Sequence, residues 1–123
     1  MTHRILIADD EPAVLSTLQQ ELQSRGFLVM TATNGQAAFQ TAKKNPPDLI
    51  ILDVAMPMAT GLKAYETLRK EPSTQRIPII FLTGRPSAEV YPTVEQGSLV
   101  AHLKKPVDID DLLSLIRQFL PQQ

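Results

Sequence analysis

The stretch RILIADDEPAVLSTLQQELQSRG, residues 4–26, decides the fold. It opens on a short apolar run, RILIA (4–8), of the kind that suits a strand buried on both faces of a parallel sheet. Three carboxylates, Asp9, Asp10 and Glu11, stop the run, and Pro12 follows. Val14, Leu15, Leu18 and Leu22 then fall on one helical stripe, and Gly26 supplies a C-terminal stop. One strand, one acidic turn and one helix are spelled out in succession.

The unit recurs down the chain. Apolar runs return as FLVMTA (27–32), DLIIL (48–52), IPIIFL (77–82) and, more weakly, VAHLK (100–104). Helical spacing returns with Ala37, Ala38 and Ala42 before Pro46-Pro47, and with Leu62, Tyr65 and Leu68 before Pro72. The last helical segment follows Asp108, a plausible N-cap, and carries Leu112, Leu113, Leu115, Ile116, Phe119 and Leu120. The fourth, PSAEVYPTVEQG (86–97), has Pro92 in its middle, which predicts only one or two distorted turns. Strand and helix alternating five times predict an α/β fold, a (βα)5 doubly wound parallel sheet with helices on both faces. Right-handed crossovers narrow it to the flavodoxin-like order 2-1-3-4-5. Ligands of such sheets bind beyond the carboxyl ends of strands 1 and 3, where the winding reverses.

The totals bound the function. A chain of 123 residues is the size of one domain, expected to cover 1–123 with PQQ (121–123) as a tail. A net charge of −1 gives no electrostatic case for nucleic acid or an anionic membrane. With no Cys, disulfides, thiolate chemistry and sulfur-ligated metals are excluded. No apolar run approaches the roughly 20 residues that span a bilayer, and the run in MTHRILIADD is too short for a signal-peptide core. A soluble, cytoplasmic domain is the expectation.

Chemistry gathers at the strand ends. Strand 1 ends at Asp9-Asp10, strand 3 at Asp53, strand 4 at Thr83-Gly84 and strand 5 at Lys104-Lys105-Pro106. Only strand 2, ending in TATNG (31–35), lacks a reactive group. Each residue has an ordinary role when taken alone: Asp10 or Glu11 as a helix cap, Asp53 as a turn acid, Thr83 as a strand end, the two lysines as solvated charges. Their coincidence at equivalent ends of neighbouring strands argues for one site. Clustered carboxylates raise one another's pKa unless a cation neutralises them. Oxygen donors, without Cys or a nearby His, select a hard cation, and two or three carboxylates with a backbone carbonyl suit Mg²⁺. A lysine and a hydroxyl beside them suit a phosphate oxygen. Asp53 is then placed to act as a carboxylate nucleophile and form an aspartyl-phosphate, helped mainly by positioning and charge neutralisation.

The segments ILIADDEP (5–12), DLIILDVAMPMATGL (48–62), IPIIFLTG (77–84) and the KP of HLKKPVD (102–108) resemble the response-regulator receiver domains of two-component signalling, over essentially the whole chain. The resemblance implies Asp53 as phosphoacceptor and Asp10 as the direct acidic Mg²⁺ ligand. It implies Asp9 acting through a water and the backbone carbonyl of Ala55 completing the metal site. Thr83 is similar to the switch hydroxyl of the family, and Lys105 to its phosphate-contacting lysine, with a cis bond to Pro106.

The chain departs from the family pattern in places. His102 stands three residues before Lys105, where such domains carry a Tyr or Phe that reports phosphorylation. It reads as a half-buried strand residue, or as a group that makes switching pH-sensitive. From Gly97 to Lys105 the spacing is one residue longer than usual, so counting from the glycine points to Lys104, whereas Pro106 favours Lys105. Ala55 and Arg85 occupy the positions that tune phosphoryl lifetime; with no side chain at 55 to position water, slow dephosphorylation is expected.

The resemblance therefore implies a phosphorylation switch, charged by a sensor histidine kinase or a histidine phosphotransfer protein. Its output would be a changed affinity for a downstream protein through the face of the fourth helical segment, fifth strand and last helix. A monomer or weak homodimer is expected. The alternative is a phosphorylation-independent interaction module, favoured by the altered signalling face and opposed by the intact Asp9, Asp10, Asp53, Thr83 and Lys105 set. Catalysis beyond its own phosphorylation and dephosphorylation is not expected. There is no acid two residues after Asp53, no Trp to stack a flavin and no glycine-rich phosphate loop.

Overall fold

The computed structural model describes residues 2–56, 60–84 and 99–120. Along them run β1 (Arg4–Ala8), α1 (Pro12–Gln23), β2 (Leu28–Ala32), α2 (Gly35–Lys44), β3 (Leu49–Asp53), α3 (Gly61–Lys70), β4 (Ile79–Thr83), β5 (Val100–Lys104) and α4 (Ile109–Phe119). The distorted helix predicted at 86–97 and the tail at 121–123 lie outside the described residues. So α4 here is the last of the predicted helices.

The five strands form one sheet in the order β2-β1-β3-β4-β5, every neighbouring pair parallel. This is the doubly wound order expected from the alternation of strands and helices. Side chains on a strand alternate between faces, and here successive residues enter two separate cores. Leu6, Ala8, Ile50, Leu52, Ile79 and Phe81 pack with Ala38 and Ala42 of α2 and Ala64, Tyr65 and Leu68 of α3. Ile5, Ile7, Leu49, Ile51, Ile80 and Leu82 pack on the other side with Leu15, Leu18 and Leu22 of α1 and Leu112, Leu113 and Ile116 of α4. Burial on both faces explains why β1, β3 and β4 read as unbroken apolar runs. β2 and β5 are the sheet edges and are only partly covered, which is why VAHLK is the weakest run.

Local chemistry sets the helix ends. Asn34 Oδ1 accepts the Ala37 amide at 2.7 Å, and Thr60 Oγ1 accepts that of Lys63 at 3.2 Å. Asp108 Oδ1 accepts the amides of Asp110 and Asp111, as its position predicts. Pro12 sits at the first turn of α1, and Gly26 past its end has φ +93°, a conformation that glycine adopts without strain.

Two strands reach further than the apolar pattern suggests. β3 and β4 continue into Asp53 and Thr83, so these polar residues belong to the ladder itself: Asp53 pairs with Leu82 and Thr83 with Lys104. β5 keeps a regular register with β4 from Val100, the residue after Leu99, to Lys104. Leu99 takes φ +53°, left-handed for a residue with a branched side chain. Among the described residues no helix is long and apolar enough to cross a membrane.

Candidate functional site

Three parallel strands deliver their last residues to one place. β1 ends where Asp9 begins, and the Asp9 amide extends the ladder by donating to Ala32 O at 3.1 Å. Its side chain has no solvent exposure. One oxygen, Oδ1, accepts the Glu11 amide at 3.0 Å; the other, Oδ2, is buried without a hydrogen bond and faces Lys105 Nζ at 2.9 Å. Asp53, at the end of β3, is 4 % exposed. Its Oδ1 accepts the Ala55 amide at 3.3 Å, and its Oδ2 lies 3.4 Å from the same Lys105 ammonium. Asp10 is exposed, and one oxygen each of Asp9, Asp10 and Asp53 lie within 4.8 Å of one another.

Lys105 reaches this cluster because β5 carries it past the end of the sheet. Its amide donates to Thr83 O at 2.8 Å, continuing the β4–β5 ladder by one residue, and its bond to Pro106 is cis. Lys104 pairs with Thr83 in the ladder and is exposed; among the described residues it makes no ion pair. Thr83 is buried, and its carbonyl accepts the Lys105 amide. Arg85 lies outside the described residues.

The electrostatics follow from burial and crowding. Burial pushes the Asp53 carboxyl up, and the neighbouring Asp9 charge adds to this, against Lys105 and the Ala55 amide; the result is a pKa of about 6. Burial alone would pull the Lys105 ammonium down, but the Asp9 and Glu11 carboxylates beside it, and the Asp53 charge, raise it instead. The site thus holds more negative charge than its one ammonium offsets. Oxygen-only donors within reach of each other, carrying more negative charge than the one ammonium offsets, fit a hard divalent cation.

His102 stands on the edge strand β5 and is exposed rather than half-buried. Its ring stacks on Phe81 at 5.9 Å, and Phe81 in turn meets Tyr65 at 5.6 Å. Burial lowers the His102 pKa. Two residues of the site escaped the sequence reading. Glu11 stands at the N-cap of α1, yet its side chain caps nothing and joins Lys105 Nζ at 3.1 Å. Gly61 starts α3 against β3, where a Cβ would overlap Asp53 O and sit 2.9 Å from Val54 Cα. Adjacency to the acid pair hinted at Glu11; a lone glycine at a helix start gave no usable signal.

The family model described as the response regulator receiver domain matches residues 5–117. The chain belongs to this family. As a receiver domain it is 32 % identical over 117 residues to PilH of Pseudomonas aeruginosa, covering 95 % of this chain and 97 % of PilH. It is 33 % identical over 120 residues to the response regulator Rre1 of Synechocystis, covering 97 % of this chain but 52 % of Rre1. This receiver domain therefore spans about half the length of some of its relatives. The chemotaxis response regulator CheY4 of Vibrio cholerae superposes with a TM-score of 0.87 at 29 % identity, over 97 % of this chain and 99 % of that one. The receiver domain of the sensor histidine kinase PA1611 of Pseudomonas aeruginosa shares the fold, with a TM-score of 0.87 at 22 % identity over 99 % of this chain and 100 % of its own. That structure has a magnesium ion coordinated in its active-site cleft.

Proposed function

We propose that this receiver domain accepts a phosphoryl group on Asp53 and thereby switches its affinity for a partner protein. The observation that carries this reading is the single Lys105 ammonium shared between Asp9, at 2.9 Å, and Asp53, at 3.4 Å. It is a nucleophile with a cation beside it. The donor is a phosphohistidine on a sensor kinase or phosphotransfer protein, in the cytoplasm. An Asp53 carboxylate oxygen forms a bond to phosphorus as the phosphorus–nitrogen bond breaks; the imidazole leaves with the electron pair and is protonated.

The residues divide the work. With a pKa of about 6, Asp53 is largely ionised at neutral pH and more basic than an ordinary carboxylate. Asp9, Asp10 and Asp53, with the backbone carbonyl of Ala55, would hold Mg²⁺, which would supply positive charge to the phosphoryl oxygens. Lys105 pairs with one phosphoryl oxygen and the Thr83 hydroxyl donates to another. Drawing Thr83 inward moves the end of β4, and with it the Phe81–His102 stack and the β5 edge, so partner binding changes there. Ala55 has no polar side chain to position an attacking water, so the phosphorylated state is long-lived.

The test is intact-mass measurement after incubation with acetyl phosphate and Mg²⁺, alongside Asp53→Asn. One phosphate-sized gain that needs Mg²⁺ and disappears in the variant is expected. No gain in the wild type overturns the reading in favour of a constitutive interaction module.

A further inference from the structure

We propose that Glu11 is a positioning residue for Lys105, biasing its ammonium toward the α1 side of the site, nearer Asp9 and Glu11 than Asp53. The inference rests on the reading of Asp53 as phosphoacceptor and adds to it a control on the lysine. Glu11 occupies the N-cap of α1 in extended backbone conformation, and its side chain, longer than that of a capping Asp, Asn, Ser or Thr, makes no bond to the helix amides. The amide of Glu11 donates to Asp9 Oδ1, which holds the backbone of the turn, and the Glu11 carboxylate accepts from Lys105 Nζ at 3.1 Å.

The distances rank the partners of Lys105: Asp9 at 2.9 Å, Glu11 at 3.1 Å and Asp53 at 3.4 Å. The nearest two both belong to the β1–α1 turn. The ammonium is thus drawn toward that turn, leaving Asp53 Oδ2 the most weakly engaged of the three. This placement does two things. It keeps the lysine from masking the oxygen that takes the phosphoryl group, and it sets a cost on moving the lysine onto that group, because the Glu11 contact must first break. Glu11 is 61 % exposed, so the contact is weak and breakable. An exposed ion pair of this kind is expected to change an equilibrium by about twofold to fivefold.

The probe is beryllium trifluoride with Mg²⁺, a phosphoryl mimic, followed by ¹⁹F NMR because the chain has no Trp to report binding. Glu11→Gln keeps the shape and removes the charge; it is expected to tighten binding of the mimic about twofold to fivefold, since Lys105 no longer has to be released. Glu11→Asp keeps the charge but is one methylene short of the 3.1 Å contact, and is expected to behave like Glu11→Gln. If Glu11→Asp instead matches the wild type, Glu11 acts only through its charge and positioning is overturned. If neither variant alters binding, the proposal also fails. A second measurement stands apart from phosphoryl chemistry: in metal-free protein both variants should shift the Lys105 ε-methylene resonance. Loss of mimic binding in the wild type sinks the function proposed for Asp53, whereas an unmoved Lys105 resonance sinks the role proposed for Glu11.

Discussion

The ring of His102 lies nearly parallel to that of Phe81, 15° apart in plane and 5.9 Å between centroids. Phe81 is fully buried two residues before Thr83 on the same strand, so the ring on the sheet edge is packed against the strand that carries the Thr83 hydroxyl. Burial lowers the His102 pKa, favouring the neutral ring in the folded chain. The unfolded chain therefore binds the proton first as pH falls. The contribution of His102 is complete above its unfolded pKa of 6.5 and is lost as pH falls through the lower folded value. Melting temperatures of wild type and His102→Phe at pH 7.5 and pH 5.5 check this: the variant should gain on the wild type at the lower pH.

Asp53 has the opposite sign. Its folded pKa of about 6 lies above the ordinary 3.8, so its contribution to stability is complete below pH 3.8 and is lost as pH rises through 6. In metal-free protein at pH 7.5, Asp53→Asn should be more stable than wild type, by about 3 kcal/mol at most. Adding Mg²⁺ should raise the melting temperature of the wild type and narrow that difference. Denaturation with and without chelator, at pH 5 and pH 7.5, measures both effects. A variant less stable than wild type in chelator at pH 7.5 would contradict the electrostatics described for this site.

The two adjacent lysines should differ sharply. Lys105→Met leaves the buried Asp9 carboxylate without its counter-charge and is expected to cost about 3 kcal/mol at neutral pH. Lys104 is exposed and without an ion pair among the described residues, so Lys104→Met should stay within about 0.5 kcal/mol of wild type. Urea denaturation separates the two. Phosphorylation from acetyl phosphate should likewise fall in Lys105→Met and persist in Lys104→Met.

Gly61 and Gly84 make a matched pair of controls. A Cβ at 61 overlaps the Asp53 carbonyl, whereas among the described residues a Cβ at 84 meets nothing within 4 Å. Gly61→Ala should destabilise by about 2 kcal/mol and displace the end of β3 that carries Asp53, weakening Mg²⁺ binding as well. Gly84→Ala should be near neutral. Urea denaturation together with Mg²⁺ titration tests the pair.

Leu99 holds φ +53° at the start of β5 and is 45 % exposed, so its side chain gains little from burial. A left-handed L-residue costs about 1–2 kcal/mol, and glycine returns about 0.4–1 of that through the flexibility of the unfolded chain. Leu99→Gly should therefore be neutral or slightly stabilising, and Leu99→Val destabilising, in the same denaturation series.

Much of this protein is determined locally, and local features are what a sequence displays. Unbroken apolar runs mark strands covered on both faces, three-and-four spacing marks the helices, and Asn34, Thr60 and Asp108 mark where helices start. The alternation then leaves one sheet order, and that order brings Asp9, Asp10, Asp53, Thr83 and Lys105 to one end before any contact is known. Register, reach and close approach depend on residues far apart in the chain. They placed Lys105 rather than Lys104 on the carboxylates, because the β4–β5 ladder ends at Lys104 and delivers the next side chain to the site. They made Glu11, one of two acids that could have capped α1, a partner of that lysine instead. They made Gly61 indispensable by packing the start of α3 onto the backbone of Asp53. Periodicity records which face a residue prefers; only the folded chain decides which atoms meet.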